Sequence, residues 1–107
     1  MGGFVRFRDG DWSWRSSMTS FLFDFLEATL PQGPARQEIH ELNEHNVLML
    51  DLRDPSQSKI VDLIAEQFLS WVARNAADPG ALSKGYSELV DLAQMQQGHN
   101  QAATGFR

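Results

Sequence analysis

The segment Phe4-Val5-Arg6-Phe7-Arg8-Asp9-Gly10-Asp11-Trp12-Ser13-Trp14-Arg15 constrains the fold more than any other in the chain. Apolar and polar residues alternate on both sides of Asp9-Gly10, and Asp-Gly is a dipeptide suited to the positive φ angles of a two-residue type I′ turn. The spacing predicts a β-hairpin in which Arg8 faces Asp11, Phe7 faces Trp12, Arg6 faces Ser13 and Val5 faces Trp14. Side chains alternate across a strand, so Val5, Phe7, Trp12 and Trp14 share one face. Arg6, Arg8, Asp11, Ser13 and Arg15 share the other. A sheet with one apolar and one charged face packs helices on a single side.

The remaining periodicities are mostly helical. Met18, Phe21, Leu22, Phe25, Leu26 and Leu30 recur at helical spacing after Ser16 or Ser17, either of which serves as an N-cap, and Pro31 stops the run. Phe21, Phe23 and Phe25 also alternate as a strand would, but the apolar pattern spans more turns than a strand of ordinary length. Residues 35–45 fit a helix through Ala35, Ile39 and Leu42 with Asn46 as a left-handed cap, and a strand over residues 36–42 is the rival. The continuous apolar run Val47–Leu52 reads as an interior strand covered on both faces. Asp54-Pro55-Ser56-Gln57 carries an N-cap, a first-turn proline and a glutamine at the third position. The helix it starts presents Ile60, Val61, Ile64, Phe68, Trp71 and Val72 on one face, with Lys59, Asp62, Glu66 and Ser70 opposite. A last helix is expected from about Leu82 to Gln97 with Leu82, Tyr86, Leu89, Val90 and Ala93 inward, weakened by Gly85 and ended by Gly98.

These elements predict an α+β domain: an N-terminal hairpin plus one or two further strands in a small mixed sheet, packed by about three helices. Residues 1–97 form the expected single domain, and residues 98–107 a flexible polar tail. A chain of 107 residues and 42% apolar content can build one core without staples. There is no cysteine, which excludes disulfides, thiolate metal sites and a cysteine nucleophile. No run approaches the roughly 18 apolar residues of a membrane-spanning helix, and no secretory h-region is present. Met1-Gly2-Gly3 resembles a myristoylation start, but Arg6 stands where that signal has Ser or Thr. A soluble, cytosolic chain without a membrane partner is expected.

Charge is uneven. Residues 24–54 hold Asp24, Glu27, Glu38, Glu41, Glu44, Asp51 and Asp54 against Arg36 and Arg53, which accounts for a net −5 within that stretch. An acidic middle disfavours phosphate backbones and steers basic partners toward the protein. Arg6, Arg8 and Arg15 are too few, and too close to Asp9 and Asp11, to make a nucleic-acid surface.

His40-Glu41-Leu42-Asn43-Glu44-His45 invites a metal reading, yet it misses both helical zinc spacings by one position, and histidines five residues apart diverge by about 140° on a helix. No metal site follows. Gly-x-Ser-x-Gly, Walker and Gly-x-Gly-x-x-Gly patterns are missing, so no nucleotide or other cofactor and no catalytic set is predicted. The sequence therefore favours a non-catalytic protein-binding module, such as an acidic inhibitor, antitoxin or immunity-type protein that neutralises a basic partner. Its candidate contact residues are Glu38, Glu41, Glu44, Asp51 and Asp54, with Trp12 and Trp14 as aromatic anchors. The alternatives are a small enzyme or metal-binding protein using His40, Glu41, Glu44 and His45, or a subunit of a homo-oligomer such as a homodimer.

Overall fold

The computed structural model describes residues 2–104 of the chain, with side chains through Asn100. Strands β1 (Gly2–Phe7) and β2 (Gly10–Arg15) form the expected hairpin, and β3 (Met49–Asp51) joins the free side of β1 in parallel, giving the order β2-β1-β3. The register differs from the sequence expectation by two residues. Phe7 faces Gly10, Arg6 faces Asp11, Val5 faces Trp12 and Gly3 faces Trp14, so Arg8-Asp9 forms the turn and Gly10 lies in the strand. Positive φ among the described residues is confined to Gly33 and Asn46, which rules out a type I′ turn here. The cause lies in a distant helix. The Arg8 N–H donates to Gln96 Oε1 at 2.8 Å, and Asp9 Oδ2 meets His99 Nε2 at 2.8 Å. A slip of two residues preserves the faces where a slip of one would invert them. Val5, Phe7 and Trp12 are accordingly buried, while Arg6 meets Asp11 at 3.2 Å on the outer face.

Helix α1 (Ser16–Thr29) starts one residue earlier than a serine cap would set it. Arg15 occupies the cap position without a side-chain bond, and the Thr19 hydroxyl donates to the Arg15 carbonyl at 3.2 Å. The helix buries Phe23 as well as Leu22, Phe25 and Leu26, because β1 and β2 as well as other helices pack on it. Leu30 is already extended, as expected of a residue before proline. Residues 36–42 are helical, within α2 (Pro34–Glu44), and Asn46 has the left-handed φ of 56°.

The 47–52 segment departs from its expected interior position. β3 is an edge strand of three residues, with Leu48, Leu50 and Leu52 buried and Val47 and Met49 40% and 50% exposed. Its continuous hydrophobicity conceals a one-sided alternation. Asp54 caps as predicted, its Oδ1 accepting the Ser56 N–H at 2.9 Å, and a single 3₁₀ turn at Pro55–Gln57 leads into α3 (Ser58–Asn75).

Helix α4 (Pro79–Thr104) begins earlier and ends later than predicted, and with residues 35–45 helical it is the fourth helix of the domain. It passes through Gly98 because Gln96 and His99 make contacts with the hairpin turn that outweigh the intrinsic cost of glycine in a helix, about 1 kcal/mol. Of the expected tail, residues 105–107 lie outside the described residues. α3 and α4 pack most extensively of all element pairs, and the sheet and α1 close over them. Tyr86 of α4 sits at the hub, with ring centroids of Phe68, Trp14, Trp12 and Phe21 at 4.7, 5.2, 5.7 and 6.4 Å.

Candidate functional site

The acidic middle of the sequence divides into three settings in space. The first is the junction of α1 and α2. Asn43 Nδ2 donates to Asp24 Oδ1 at 2.9 Å and to Glu27 Oε2 at 2.8 Å, while its Oδ1 accepts from the Ser20 hydroxyl at 2.9 Å. His40 lies one turn earlier, with Nδ1 2.7 Å from Glu27 Oε1 and Nε2 3.2 Å from Glu44 Oε2. The Asn43 amide, followed by His40, lowers the Glu27 carboxyl below its usual range against the opposing effect of burial. Its hydrogen bond to Glu27 raises the His40 imidazole. Glu27, Glu44, His40 and Asn43 thus form a structural latch between two helices.

The second setting is the C-terminal end of β3. Arg53 grips Asp51 with Nη2 at 2.6 Å and Nε at 2.9 Å, and its hydrogen bonds pull the Asp51 carboxyl down to about 2. Asp54 is occupied in capping. Of the predicted contact residues, Asp51 therefore presents a neutralised ion pair, and Asp54 a carboxylate already engaged by a backbone N–H.

The third setting is the outer side of α2, where Glu38, Glu41, Leu42, His45 and Val47 line an open depression. Spacings of three and four residues bring Glu38, Glu41, Leu42 and His45 to one helix face, and the Val47 N–H donating to the Leu42 carbonyl at 2.8 Å folds the following chain beside them. Glu41 accepts from the Gln37 amide at 3.0 Å. Neither Glu38 nor Glu41 makes an ion pair among the described residues. Here the acidic α2 surface adjoins the exposed Val47.

The aromatic anchors lie elsewhere. Trp12 is 3% exposed, and its indole N–H donates to the Gly85 carbonyl at 3.2 Å, which places it in the core and out of reach of a partner. Trp14 is half-buried, edge-on to Tyr86. Hairpin alternation identifies the inward face but cannot say that α4 will cover it.

His40 turns toward α1 and His45 toward the depression, so the two histidines serve different surfaces. Among the described residues, no group of three or more His, Asp or Glu side chains is placed to hold a metal ion. No helix there is long and apolar enough to cross a membrane. The exposed apolar residues missed in the sequence are Val47 and Met49, whose alternation with Leu48, Leu50 and Leu52 was the available signal.

No family model, curated protein or solved structure matches the chain. Fold and surface define an α+β domain with a three-stranded mixed sheet, covered on one face by helices and carrying an acidic depression next to an edge strand.

Proposed function

We propose that the chain is a non-catalytic protein-binding module that takes a basic partner on the outer side of α2, in the manner of an acidic inhibitor, antitoxin or immunity-type protein. One observation carries this reading: Glu38 and Glu41 line a depression with Leu42, His45 and Val47, and among the described residues neither carboxylate makes an ion pair. The other carboxylates weigh less. Asp11, Glu27, Glu44 and Asp51 face Arg6, His40 or Arg53, and Asp54 holds a helical turn. Unpaired carboxylates beside apolar surface favour a Lys or Arg side chain carried on an apolar segment, and a net charge of −5 speeds the approach of such a partner.

The test is recovery of partners on the immobilised chain at low salt, followed by kinetics with each recovered protein. A basic protein should bind stoichiometrically, with an association rate that falls as salt rises. Glu38→Lys with Glu41→Lys should slow association by about tenfold or more. Failure to recover any basic protein at low salt, or association unchanged by the double reversal, overturns the reading.

A further inference from the structure

We infer that the outer edge of β3 receives an extended segment of the basic partner, which adds to the sheet as a fourth strand. This inference rests on the binding-module reading above and specifies how the partner docks.

The register shows which backbone groups are available. The Phe4 N–H donates to the Leu48 carbonyl at 2.9 Å, and the Leu52 N–H donates to the Arg6 carbonyl at 2.8 Å. Leu48, Leu50 and Leu52 therefore direct their backbone groups toward β1. Alternation along the strand directs the N–H and C=O groups of Met49 and Asp51 the opposite way, beyond the last strand of the sheet. An unpaired edge of this kind is a template for another strand, and proteins ordinarily block it with lysine, proline or a bulge. Residues 47–52 contain no lysine or proline, and the charged pair on this strand, Asp51 with Arg53, stands at its C-terminal end, away from Val47 and Met49.

The side chains next to the edge complete the surface. Val47 and Met49 are two of the three exposed large hydrophobic residues among the described residues, and Met49 stands opposite Phe4 on the outer face of the sheet. The acidic depression of Glu38 and Glu41 opens at Val47. The surface therefore offers a backbone ladder at Met49 and Asp51, apolar contacts at Val47 and Met49, and two carboxylates at one end.

Charge selects the occupant. Two copies joined through β3 would bring together chains of net charge −5 each, whereas a segment alternating apolar residues with Lys or Arg matches both the pleat and the carboxylates. A ladder limited to two residues' groups is short, so the carboxylates contribute a large share of the affinity.

The probe is a synthetic octapeptide alternating Val and Lys, added to the full chain. Two versions carry N-methyl groups on alternate residues, one in each phase, and an alternating Val/Glu octapeptide and a helix-forming Lys/Ala peptide serve as controls. The Val/Lys peptide should bind in a salt-sensitive way, and the Val/Glu peptide should not. One N-methylated phase, which blocks the ladder, should bind about tenfold more weakly than the other. Met49→Pro removes an N–H that makes no bond to β1 and should weaken binding similarly. The N-methylated peptides report on the unaltered protein, so the result stands even where Met49→Pro fails to fold. Equal binding of both N-methylated phases, or a Lys/Ala peptide binding as tightly as the Val/Lys peptide, overturns strand addition while leaving the acidic-surface reading intact. Binding of no basic peptide overturns both. Concentration-dependent dimerisation abolished by Met49→Pro makes a second copy the occupant, which also overturns the proposal.

Discussion

Gly85 lies directly beneath the Trp14 indole: a Cβ at Gly85 would stand 2.8 Å from ring atom Cζ2 and closer still to Cη2 and Cζ3. The glycine that weakens α4 locally is the one that lets the hairpin settle on it. Replacing it with alanine improves helix propensity by about 1 kcal/mol but forces Trp14 off Tyr86, an overpacking cost of about 1–3 kcal/mol. Gly85→Ala is expected to lower stability by about 1 kcal/mol in urea unfolding. In a Trp14→Val background the same change should raise stability, and a loss in both backgrounds would refute the packing explanation.

Gln96 holds the hairpin turn from 88 residues away. Its side chain is fully buried, accepting from the Arg8 N–H and donating to Asn100 Oδ1 at 3.2 Å. Gln96→Leu is expected to cost about 1–3 kcal/mol, because a donor loses its acceptor. Amide exchange should accelerate most at Arg8, and protection there equal to the unaltered protein would show that the turn is held by other contacts.

The chain has one tyrosine, and its phenol donates to the Met18 carbonyl at 2.6 Å. Burial, with a smaller contribution from Asp24, raises the Tyr86 pKa well above its usual 10.0. The neutral phenol therefore stabilises the fold fully below about pH 10, and stability declines as the pH rises above that value, where only the unfolded chain ionises. Tyrosinate absorbance and loss of helical circular dichroism are expected to rise together above pH 10. Ionisation near pH 10 with the helices intact would contradict the burial of this group.

The α1–α2 latch should respond to pH in both directions. His40 is raised from 6.5, so its protonated form supports the latch below that value and the support is lost as pH rises through the raised pKa. Glu27 is lowered from 4.5, so its ionised form contributes above that value and the contribution is lost as pH falls through the lowered pKa. Protection of α2 amides should be greatest between about pH 4.5 and 6.5. His40→Gln should flatten the decline on the alkaline side, and an unchanged profile would assign that decline to another group.

Much of this architecture can be read from local pattern. The hairpin's inward face was legible because a register shift of two residues leaves alternation unchanged, and the start of α3 was legible because Asp54 and Pro55 act within one turn. What escaped depends on distant partners. The turn position is fixed by Gln96 and His99, and the passage of α4 through Gly98 by those same contacts. Val47 and Met49 look like core residues until β3 is known to lie at an edge. The acidic side chains were visible as charges, but which of them meet a cation is decided by the approach of α1 to α2 and by the turn that brings Arg53 back to Asp51.

The position of β1 between β2 and β3 has a kinetic consequence. Its bonds to β2 close across a two-residue turn, but on its other side Phe4 waits for Met49, 45 positions along the chain. Closing that longer loop costs more entropy and follows the building of α1 and α2 in sequence order. Folding should therefore pass through a stage in which the hairpin exists while one flank of its first strand is bare. Such a species is sticky, so recovery on dilution from denaturant should drop as protein concentration increases, even though in the finished sheet β3 pairs with that flank from Phe4 to Arg6.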